Sequence, residues 1–363
     1  LPEDKRRCVA KEQAESLKAV IEKATEAGKP CKVALFSHRC PDPDAIGSLM
    51  GLAWILDRAF GLESSLFYDG EISHPQNLAI TNLLDPQLKN VKEYVADEFQ
   101  LRMLCDTIPI NAGVGEHKVD FDVVIDHHKD LPNGGFSGLV IHMKTGSCCS
   151  VIFKLMEYLC KDHWFDDDTD ADSKVATAMI VGIKTDTEDL ASDDSTELEF
   201  EAYSGLFPFR HSDFLKRIIF FKLPRSWTDL KAAAVSQAVI DDEGYAIVGL
   251  GVVPDKDRDL ISNMADEMVS CANVVAAIAL AIVGGERIEG SVRSLNASVS
   301  ISEFCKKLGG RHGSGGGKLG KGAYRLGLAG MSLDPDEDEE TKDKTWTLIK
   351  EKETKRITRT IYK

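Results

Sequence analysis

The chain lacks three features: a long hydrophobic run, a pair of cysteines at C-x-x-C spacing and an excess of basic residues. Its longest apolar run, residues 274–283, is too short to cross a bilayer, and no basic segment precedes an apolar one near Leu1. The nine cysteines have neither the spacing of a zinc site nor that of a disulfide framework. We therefore expect a protein of the reducing cytoplasm that does not act at a membrane.

The chain is acidic, because 59 Asp and Glu residues outnumber 44 Lys and Arg residues and give a net charge of -15. A protein that holds long nucleic acid through its phosphates usually carries a basic face, so an extended duplex is not an expected ligand. A small phosphorylated substrate is compatible with an acidic cleft, because bound metal ions reverse the local charge. The length of 363 residues, with 43% hydrophobic and 28% charged residues, predicts a folded protein of two domains.

Short apolar segments alternate with helical patterns in the first half of the chain. The predicted strands cover residues 33–36, 65–68, 121–125 and 139–142, and the predicted helices cover residues 11–27, 45–60, 77–84 and 147–160. Asp44 is placed to cap the second of these helices, whereas residues 101–105 show no clean strand pattern. This alternation predicts a mainly parallel sheet covered by helices, with ligands binding at the carboxyl ends of the strands.

The second half of the chain has a different pattern. Residues 197–238 are predicted to be helical, with Pro208 and Pro224 as breaks. The predicted elements that follow are strands at 246–253, 273–283 and 288–293, a helix at 301–308 and a glycine-rich segment at 309–322. The acidic run at 334–340 is predicted to be a solvated loop.

Histidine and aspartate side chains follow the first predicted strand. The segment from His38 carries one imidazole and the carboxylates of Asp42 and Asp44, which suit divalent ions such as Mn²⁺ or Mg²⁺. Prolines at positions 41 and 43 stiffen the loop and reduce the entropy lost when these ligands converge. In the simpler interpretation, Asp44 only caps the following helix and Asp42 faces solvent.

The triplet Asp126-His127-His128 follows the apolar strand 121–125. Buried polar groups without partners would be costly, so the triplet indicates either a ligand site or an exposed polar turn. Asp186 follows another apolar segment and can reach the same edge of the sheet. Asp106 would by default be a surface residue, but a two-metal site needs a carboxylate that bridges ions roughly 3.5 to 4 Å apart, and the other candidates leave that role open.

These residues together resemble the DHH phosphoesterase superfamily, named for its Asp-His-His triplet. The motifs that carry the resemblance are His38-x-x-x-Asp42-x-Asp44-Ala-Ile-Gly-Ser, Asp126-His127-His128 and Gly182-Ile-Lys-Thr-Asp186-Thr, with a second motif reduced to Asp106-Thr107. The ligands that the resemblance implies are His38, Asp42 and Asp106 for one ion, and Asp44, Asp106, His127 and Asp186 for the other. It further implies two Mn²⁺ ions, with Mg²⁺ or Co²⁺ as alternatives. His128 would then face the substrate phosphate while Asp126 orients its neighbours, so the implied catalytic residues are His128, Asp126 and Asp106.

The second half resembles the DHH-associated domain of oligoribonucleases, nucleotide phosphatases and RecJ-like exonucleases. In that domain a Gly-Gly-Gly-His segment and an upstream Arg-Ser pair hold the substrate, and the corresponding residues here are Gly309, Gly310, Arg311, His312, Arg293 and Ser294. Arg311 stands where the domain has a glycine, and Gly315 and Gly316 stand where it has alanines. Glycines let backbone N–H groups approach a phosphate, although a mobile loop is the simpler interpretation.

We therefore predict an α/β fold in which a DHH domain with a mainly parallel sheet is followed by a smaller α/β domain, with the active site in the cleft between them. The predicted parts are an N-terminal helix at 1–29, the DHH domain at 30–196, a helical connector at 197–238, the DHH-associated domain at 239–331, and an acidic loop and tail at 332–363.

The expected function is two-metal hydrolysis of phosphodiester or phosphomonoester bonds in short oligonucleotides or nucleotides, as in nanoRNases or 3'-phosphoadenosine 5'-phosphate phosphatases. The expected partners are such a substrate and a second copy of the chain, without long duplex nucleic acid. Three alternatives stay open: a manganese-dependent pyrophosphatase or polyphosphatase, a RecJ-like single-strand exonuclease, and a regulatory module that binds a nucleotide without hydrolysing it.

Overall fold

A computed structural model of the chain describes residues 3–26, 31–129, 136–166, 169–296, 300–318, 320–328, 330–334 and 336–362. Residues 27–30, where the predicted N-terminal helix was expected to end, lie outside these ranges. The chain divides into two compact units, of which the first comprises Leu1–Ile72 and Gln76–Phe221 and the second comprises Ser73–Pro75 and Lys222–Lys363. Each unit contains a six-stranded sheet, which confirms the predicted α/β fold class with a parallel-sheet N-terminal domain and a second α/β domain.

The sheet of the first unit is entirely parallel and has the strand order β3-β2-β1-β4-β5-β6. Its strands are β1 Lys32–Phe36, β2 Glu63–Tyr68, β3 Leu88–Asn90, β4 Leu101–Cys105, β5 Val123–Asp126 and β6 Leu139–His142. The helices up to the end of this unit are α1 Glu3–Thr25, α2 Pro43–Phe60, α3 Pro75–Leu84, α4 Cys148–Leu159, α5 Asp170–Asp186, α6 Glu197–Leu206 and α7 Ser212–Ile219. Residues 33–36 of β1 are fully buried and alternate between two apolar clusters, as expected for a parallel strand covered on both faces.

The start of α2 differs from the prediction. Asp42, not Asp44, is the N-cap, and its carboxylate accepts a hydrogen bond from the backbone N–H of Ala45 at 3.0 Å. Pro43 occupies the first helical position because it has a fixed φ and no N–H to satisfy, which moves the start of the helix ahead of Asp44. Asp44 therefore lies in the first turn, where it is only 1% exposed and points into the protein.

Residues 101–105, which show no clean strand pattern in the sequence, form β4 in the middle of the sheet. The pattern is interrupted by Arg102, which lies between buried apolar neighbours. Its guanidinium donates hydrogen bonds to the hydroxyl of Tyr94 and the carbonyl of Phe99, so the strand accommodates the charge at the edge of the core. The apolar residues 175–183 belong to helix α5.

The second unit has a mixed sheet with the order β11-β12-β10-β9-β8-β7, in which only β8 and β9 pair in parallel. Its strands are β7 Val239–Ile240, β8 Tyr245–Val253, β9 Ala276–Val283, β10 Arg287–Ser294, β11 Gly313–Lys318 and β12 Lys321–Gly327. Its helices are α8 Arg225–Ser236, α9 Leu260–Val269, α10 Ile301–Gly309 and α11 Glu339–Ile361. The three strands and the helix α10 that were predicted here are present.

The simpler interpretation of the glycine-rich segment was a mobile loop, but most of the segment lies in the antiparallel pair β11 and β12. The glycines allow close packing: a Cβ at Gly315 would lie 1.9 Å from the carbonyl oxygen of Cys305 in α10. A side chain at Gly313 would likewise lie 2.1 Å from the carbonyl oxygen of Arg325. Glycine is therefore required at positions 313 and 315, where the strand passes against other backbone, and these glycines do not mark a loop.

The end of the acidic run, expected as a solvated loop, begins the 23-residue helix α11. Asp338 is its N-cap, since the Asp338 carboxylate accepts the backbone N–H of Thr341 at 2.8 Å. Ile349 and Ile357 are buried in the apolar cluster of the second unit and fix one face of this otherwise charged helix. Among the helices that the structure describes, none combines the length and the apolar surface needed to span a lipid bilayer.

Candidate metal centre

The predicted metal ligands of the first unit come together at one edge of its sheet. The ends of β1, β4 and β5 are aligned, since Phe36 pairs with Leu104 and Cys105 pairs with Ile125. The side chains at or just after these strand ends are those of His38, Asp106 and the triplet Asp126-His127-His128, of which Asp126 is the last residue of β5. Two helices complete the cluster, with Asp44 in the first turn of α2 and Asp186 as the last residue of α5.

One group of candidate ligands consists of His38, Asp42 and Asp106, whose ligand atoms lie within 4.8 Å of one another. The Nε2 atom of His38 is 3.8 Å from Oδ1 of Asp42 and 3.5 Å from Oδ2 of Asp106. The Nδ1 of His38 donates to the carbonyl of Arg39 at 3.0 Å, which directs Nε2 toward the two carboxylates. One imidazole and two carboxylates are thus arranged to hold one divalent cation.

A second group consists of Asp44, His127 and Asp186. The Nε2 atom of His127 is 3.9 Å from Oδ2 of Asp44 and 3.3 Å from Oδ2 of Asp186. It is also 3.3 Å from Oδ1 of Asp106, whose other oxygen faces His38 in the first group. The two oxygens of Asp106 therefore face different ligand groups, which is the arrangement of a carboxylate that bridges two ions.

A divalent cation fits this cluster because of atoms that are buried without a hydrogen-bond partner. Among the described residues, three such atoms belong to the cluster: Oδ1 of Asp106, Oδ2 of Asp126 and Nε2 of His127. Each unsatisfied buried polar atom costs free energy, and most buried polar atoms in proteins are satisfied. Cations bound to the two ligand groups would satisfy Asp106 and His127, so the residues present fit a pair of metal ions.

The charge of the cluster leads to the same conclusion. Burial opposes protonation of His38, but the carboxylates of Asp106 and Asp42 outweigh it and raise the pKa of His38 to about 11. In the same way Asp106 and Asp186 overcome burial and raise the pKa of His127 to about 12. Burial and the neighbouring carboxylates, Asp106 first, raise the pKa of Asp44 well above its usual range. Without metal, the cluster thus takes up protons to offset its excess of negative charge. Bound cations would neutralise the same charge.

Backbone groups around the cluster orient the ligands. The Asp44 carboxylate accepts the N–H groups of Cys148 and Cys149 at 2.6 and 3.0 Å, at the N-terminus of α4. The Nδ1 of His127 donates to the carbonyl of Thr145 at 3.0 Å, so its Nε2 is the atom left to face Asp106 and the other carboxylates.

The second histidine of the triplet is held by the aspartate. Oδ1 of Asp126 accepts Nδ1–H of His128 at 2.8 Å and also the backbone N–H groups of both histidines. Although burial acts in the opposite direction, the hydrogen bond from His128 lowers the pKa of Asp126. The His128 side chain is 45% exposed, in contrast to the 7% of His127. This geometry suits an orienting Asp126 and a His128 that meets substrate, and both roles stay predictions.

Helices α2 and α5 pack closely beneath the cluster, and glycines make this approach possible. A Cβ at Gly182 would lie 2.7 Å from Sγ of Cys149 and 2.9 Å from Cα of Asp44. The thiols of the nearby Cys148 and Cys149 donate to the carbonyls of Ile125 and Asp44, and the groups of converging ligand atoms among the described residues contain no cysteine. The ligands of the cluster are therefore imidazoles and carboxylates.

The predicted substrate residues of the second unit are not all brought together. Arg293 donates to Asp266 at 2.5 Å and to the hydroxyl of Ser291 at 2.8 Å, and Ser294 donates to the carbonyl of Val275 at 2.9 Å. His312 is exposed next to the start of β11. The strand pairings place Arg293 opposite Lys321 and place Gly313, the neighbour of His312, opposite Leu326, which is about 17 Å further along β12 at 3.3 Å per residue.

Gly309 and Gly310 end α10, and Arg311 follows them at the surface. The roles of all six predicted substrate residues stay predictions.

A cavity of about 420 Å³ in the second unit is lined partly by the glycine-rich segment and partly by residues of β10, β12 and α9 and its approach that the sequence did not indicate. Its polar lining includes Arg258, Glu289, Ser291, Ser314 and Arg325, while Gly315 and Gly316 expose backbone. Oε1 of Glu289 is 2.7 Å from the Arg325 guanidinium, and Oε2 is 3.4 Å from that of Arg258. Buried and exposed residues alternate along β12, and Arg325 is one of the exposed ones. This alternation could have indicated that Arg325 lies on the surface of a strand, but β12 was not predicted.

Residues 32–183 match the DHH family, N-terminal domain. This match confirms, for the matched segment, the DHH-family resemblance drawn from its motifs. The family is metal-dependent, in agreement with the two ligand groups of the site.

Three relatives extend the comparison. The chain is 26% identical over 333 residues to the uncharacterized protein MJ1633 of Methanocaldococcus jannaschii, covering 90% of the chain and 62% of the relative. It is 24% identical over 319 residues to the cyclic-di-AMP phosphodiesterase GdpP of Geobacillus thermodenitrificans, covering 81% and 44%. The chain thus spans about half the length of the curated relatives it matches. An exopolyphosphatase-related protein from Bacteroides fragilis shares its fold, with a TM-score of 0.62 and 18% identity over 94% of this chain and 98% of the other.

Proposed function

We propose that the chain is a two-metal phosphoesterase that uses Mn²⁺ to hydrolyse phosphate ester bonds in short oligonucleotides or small nucleotides. The observation that carries this proposal is the position of Asp106, whose two carboxylate oxygens lie 3.5 Å from His38 Nε2 and 3.3 Å from His127 Nε2. A buried carboxylate shared by two ligand groups is what a two-ion site requires. The DHH-family domain supports the same chemistry.

The residues assigned to the two ions are His38, Asp42 and Asp106 for the first, and Asp44, Asp106, His127 and Asp186 for the second. Mixed imidazole and carboxylate ligands suit Mn²⁺, with Mg²⁺ or Co²⁺ as alternatives. Two bound divalent ions would supply a nucleophilic water of lowered pKa and neutralise charge that develops on the phosphoryl oxygens.

The remaining residues hold and orient the reacting groups. Asp126 accepts Nδ1–H of His128, so Nε2 on the other edge of this half-exposed imidazole can donate to a phosphoryl or leaving-group oxygen when the ring carries a second proton. The N–H groups of Cys148 and Cys149 fix the Asp44 carboxylate, which limits the reorganisation that the site undergoes during the reaction. No residue of the chain is assigned to form a covalent intermediate.

The proposed substrates are short and anionic. A net charge of -15 opposes binding of long nucleic acid, and the name of the relative GdpP adds cyclic dinucleotides to the class. In the second unit, Arg258 and Arg325 line the 420 Å³ cavity together with exposed backbone of Gly315 and Gly316, a combination that suits a phosphate or ribose. We assign this cavity, rather than Arg293 and His312 acting together, as the substrate surface of that unit.

The test is hydrolysis by protein that has been stripped with a chelator and then reloaded with Mn²⁺, Mg²⁺ or Co²⁺. The substrate panel comprises linear dinucleotides, cyclic dinucleotides, longer single strands, 3'-phosphoadenosine 5'-phosphate and pyrophosphate. We expect no turnover without metal, recovery with Mn²⁺, and preference for the small nucleotides. Full activity of the metal-free protein would refute the proposal. A preference for pyrophosphate would instead show that the protein is a pyrophosphatase.

A further inference from the structure

We propose that Glu199 is a positioning residue of the metal centre, although it lies in α6, outside the matched DHH domain at 32–183. Its side chain is completely buried, with 0% exposure. A buried carboxylate needs several donors to offset its lost hydration, and this one has donors on both oxygens. The inference rests on the proposed function, because it concerns the residues that hold the metal ligands.

One oxygen of Glu199 belongs to the start of its own helix. Oε2 accepts the backbone N–H of Thr196 at 2.6 Å and its hydroxyl at 2.8 Å. The Thr196 hydroxyl in turn caps α6, so the two residues form a capping box. The contacts of Oε2 stabilise the start of α6, but a capping box does not require its glutamate to be buried.

The other oxygen reaches a segment that is more than 50 residues away in the chain. Oε1 accepts the backbone N–H of Gly146 at 2.9 Å and the hydroxyl of Thr145. The carbonyl of Thr145 is the acceptor for Nδ1 of His127. Glu199 therefore fixes the residue that sets the orientation of a candidate metal ligand.

The same segment also leads to Asp44. Gly146 is followed by Ser147, the N-cap of α4, whose hydroxyl accepts the N–H of Ser150. The next two backbone N–H groups, those of Cys148 and Cys149, bind the Asp44 carboxylate. Because the segment 145–149 contacts both His127 and Asp44, the anchor on Glu199 acts on two ligands of one ion.

A second capping box in the first unit shows what the motif does without this connection. Glu93 accepts the N–H of Asn90 at 3.0 Å at the start of a single helical turn, but its side chain is exposed. The boxes share their local geometry, whereas only Glu199 is buried and joined to the metal centre. Glu93→Gln is therefore a matched control for Glu199→Gln.

The first measurements are Mn²⁺ affinity by calorimetry and hydrogen exchange of the Gly146, Cys148 and Cys149 amides, both in the full chain without substrate. We expect Glu199→Gln to weaken Mn²⁺ binding about 10- to 100-fold, as is typical when a partner of a metal ligand is lost. The Gly146 amide should also exchange faster. Glu93→Gln should leave both quantities at their wild-type values.

Thr196→Val separates positioning from capping, because it removes the α6 cap while leaving Oε1 of Glu199 on the segment. It should lower the melting temperature and keep the Mn²⁺ dissociation constant within about twofold of wild type. If Glu199→Gln does not fold, Thr145→Val removes one of the two contacts of the anchor and should weaken Mn²⁺ binding about threefold or more, a smaller effect than the roughly 10- to 100-fold typical when a whole partner of a metal ligand is lost. The proposal is overturned if Glu199→Gln or its substitute Thr145→Val binds Mn²⁺ like wild type, or if Thr196→Val loses as much affinity.

These readouts do not depend on turnover. If the wild-type protein binds Mn²⁺ but hydrolyses none of the substrates, the proposed function fails and the comparison of Glu199→Gln with its controls still decides the role of Glu199.

Discussion

Asp106→Asn is the substitution that most directly tests the two-ion site. Asparagine keeps the size of this 3% exposed side chain but removes its charge and replaces one oxygen with an amide group that cannot bind a cation. The two Asp106 oxygens face His38 and His127, so whichever position the amide takes, one ligand group loses an oxygen. We expect one ion to be lost and the other to bind more weakly.

The size of the effect follows from binding linkage. For the ion that the variant retains, Mn²⁺ at a hundred times its dissociation constant adds about 2.7 kcal/mol of stability to the folded wild-type protein. If the variant binds about a hundredfold more weakly, the same Mn²⁺ concentration adds only about 0.4 kcal/mol. For a domain of this size, the share of the Mn²⁺-induced increase in melting temperature that comes from this ion should fall from about 5 to 10 °C to about 1 or 2 °C, and the share of the lost ion should disappear.

The assay is thermal unfolding with and without Mn²⁺, together with metal content by elemental analysis and turnover on a dinucleotide. Turnover should fall at least about a hundredfold, since several kcal/mol of charge stabilisation are lost. Asp57→Asn is the control, because the Asp57 side chain is 76% exposed and lies outside the metal groups. Two ions per chain and a full Mn²⁺-induced increase in melting temperature in Asp106→Asn would refute the bridging role.

Three further substitutions test other parts of the structure. Burial acts to raise the pKa of Glu289, but Arg287, Arg258 and Arg325 outweigh it and lower this pKa. The ionised Glu289 therefore stabilises the folded protein fully above the ordinary pKa of 4.5, and this stabilisation is lost as the pH falls through the lowered pKa. Glu289→Gln should cost about 1.5 to 3 kcal/mol at pH 7 and remove that acid-dependent part, as measured by denaturant unfolding from pH 7 to 3; an unchanged pH profile would contradict this. Gly182→Ala should destabilise by about 1 to 3 kcal/mol and weaken Mn²⁺ binding by displacing Asp44, and wild-type melting and affinity would show that the helices can separate. His128→Gln should keep both ions and lower kcat/KM about 10- to 100-fold, so metal loss would instead make His128 a ligand.

The sequence predicted the parts of the fold that depend on regular periodicity. Strands β1, β5 and β6 are short apolar runs between turn signals, and a parallel sheet buried on both faces produces such runs. Strand β4 was missed because Arg102 interrupts its pattern, and only the tertiary contacts with Tyr94 and the carbonyl of Phe99 show how its charge is accommodated. The sequence consequently did not show that Asp106 directly follows a strand. This position is what brings Asp106 between His38 and His127.

Other features could not be predicted because they depend on packing between distant segments. The sequence gives no sign that the glycines of β11 lie against the backbone of α10, so the segment had the composition of a loop. Helix α11 has few apolar positions, and its helical face becomes evident only where Ile349 and Ile357 are buried. The connection from Glu199 to His127 also requires the folded chain, since each contact alone is an ordinary cap or turn.

The parallel pairing of the first unit has a consequence for its folding. The candidate ligands span residues 38 to 186 and are brought together only when β1, β4 and β5 have paired and both α2 and α5 have packed against them. Such non-local contacts form slowly, and a cation that needs all of them cannot bind to a partly folded chain. Mn²⁺ should therefore lower the logarithm of the unfolding rate in proportion to its binding free energy and leave the rate of refolding unchanged.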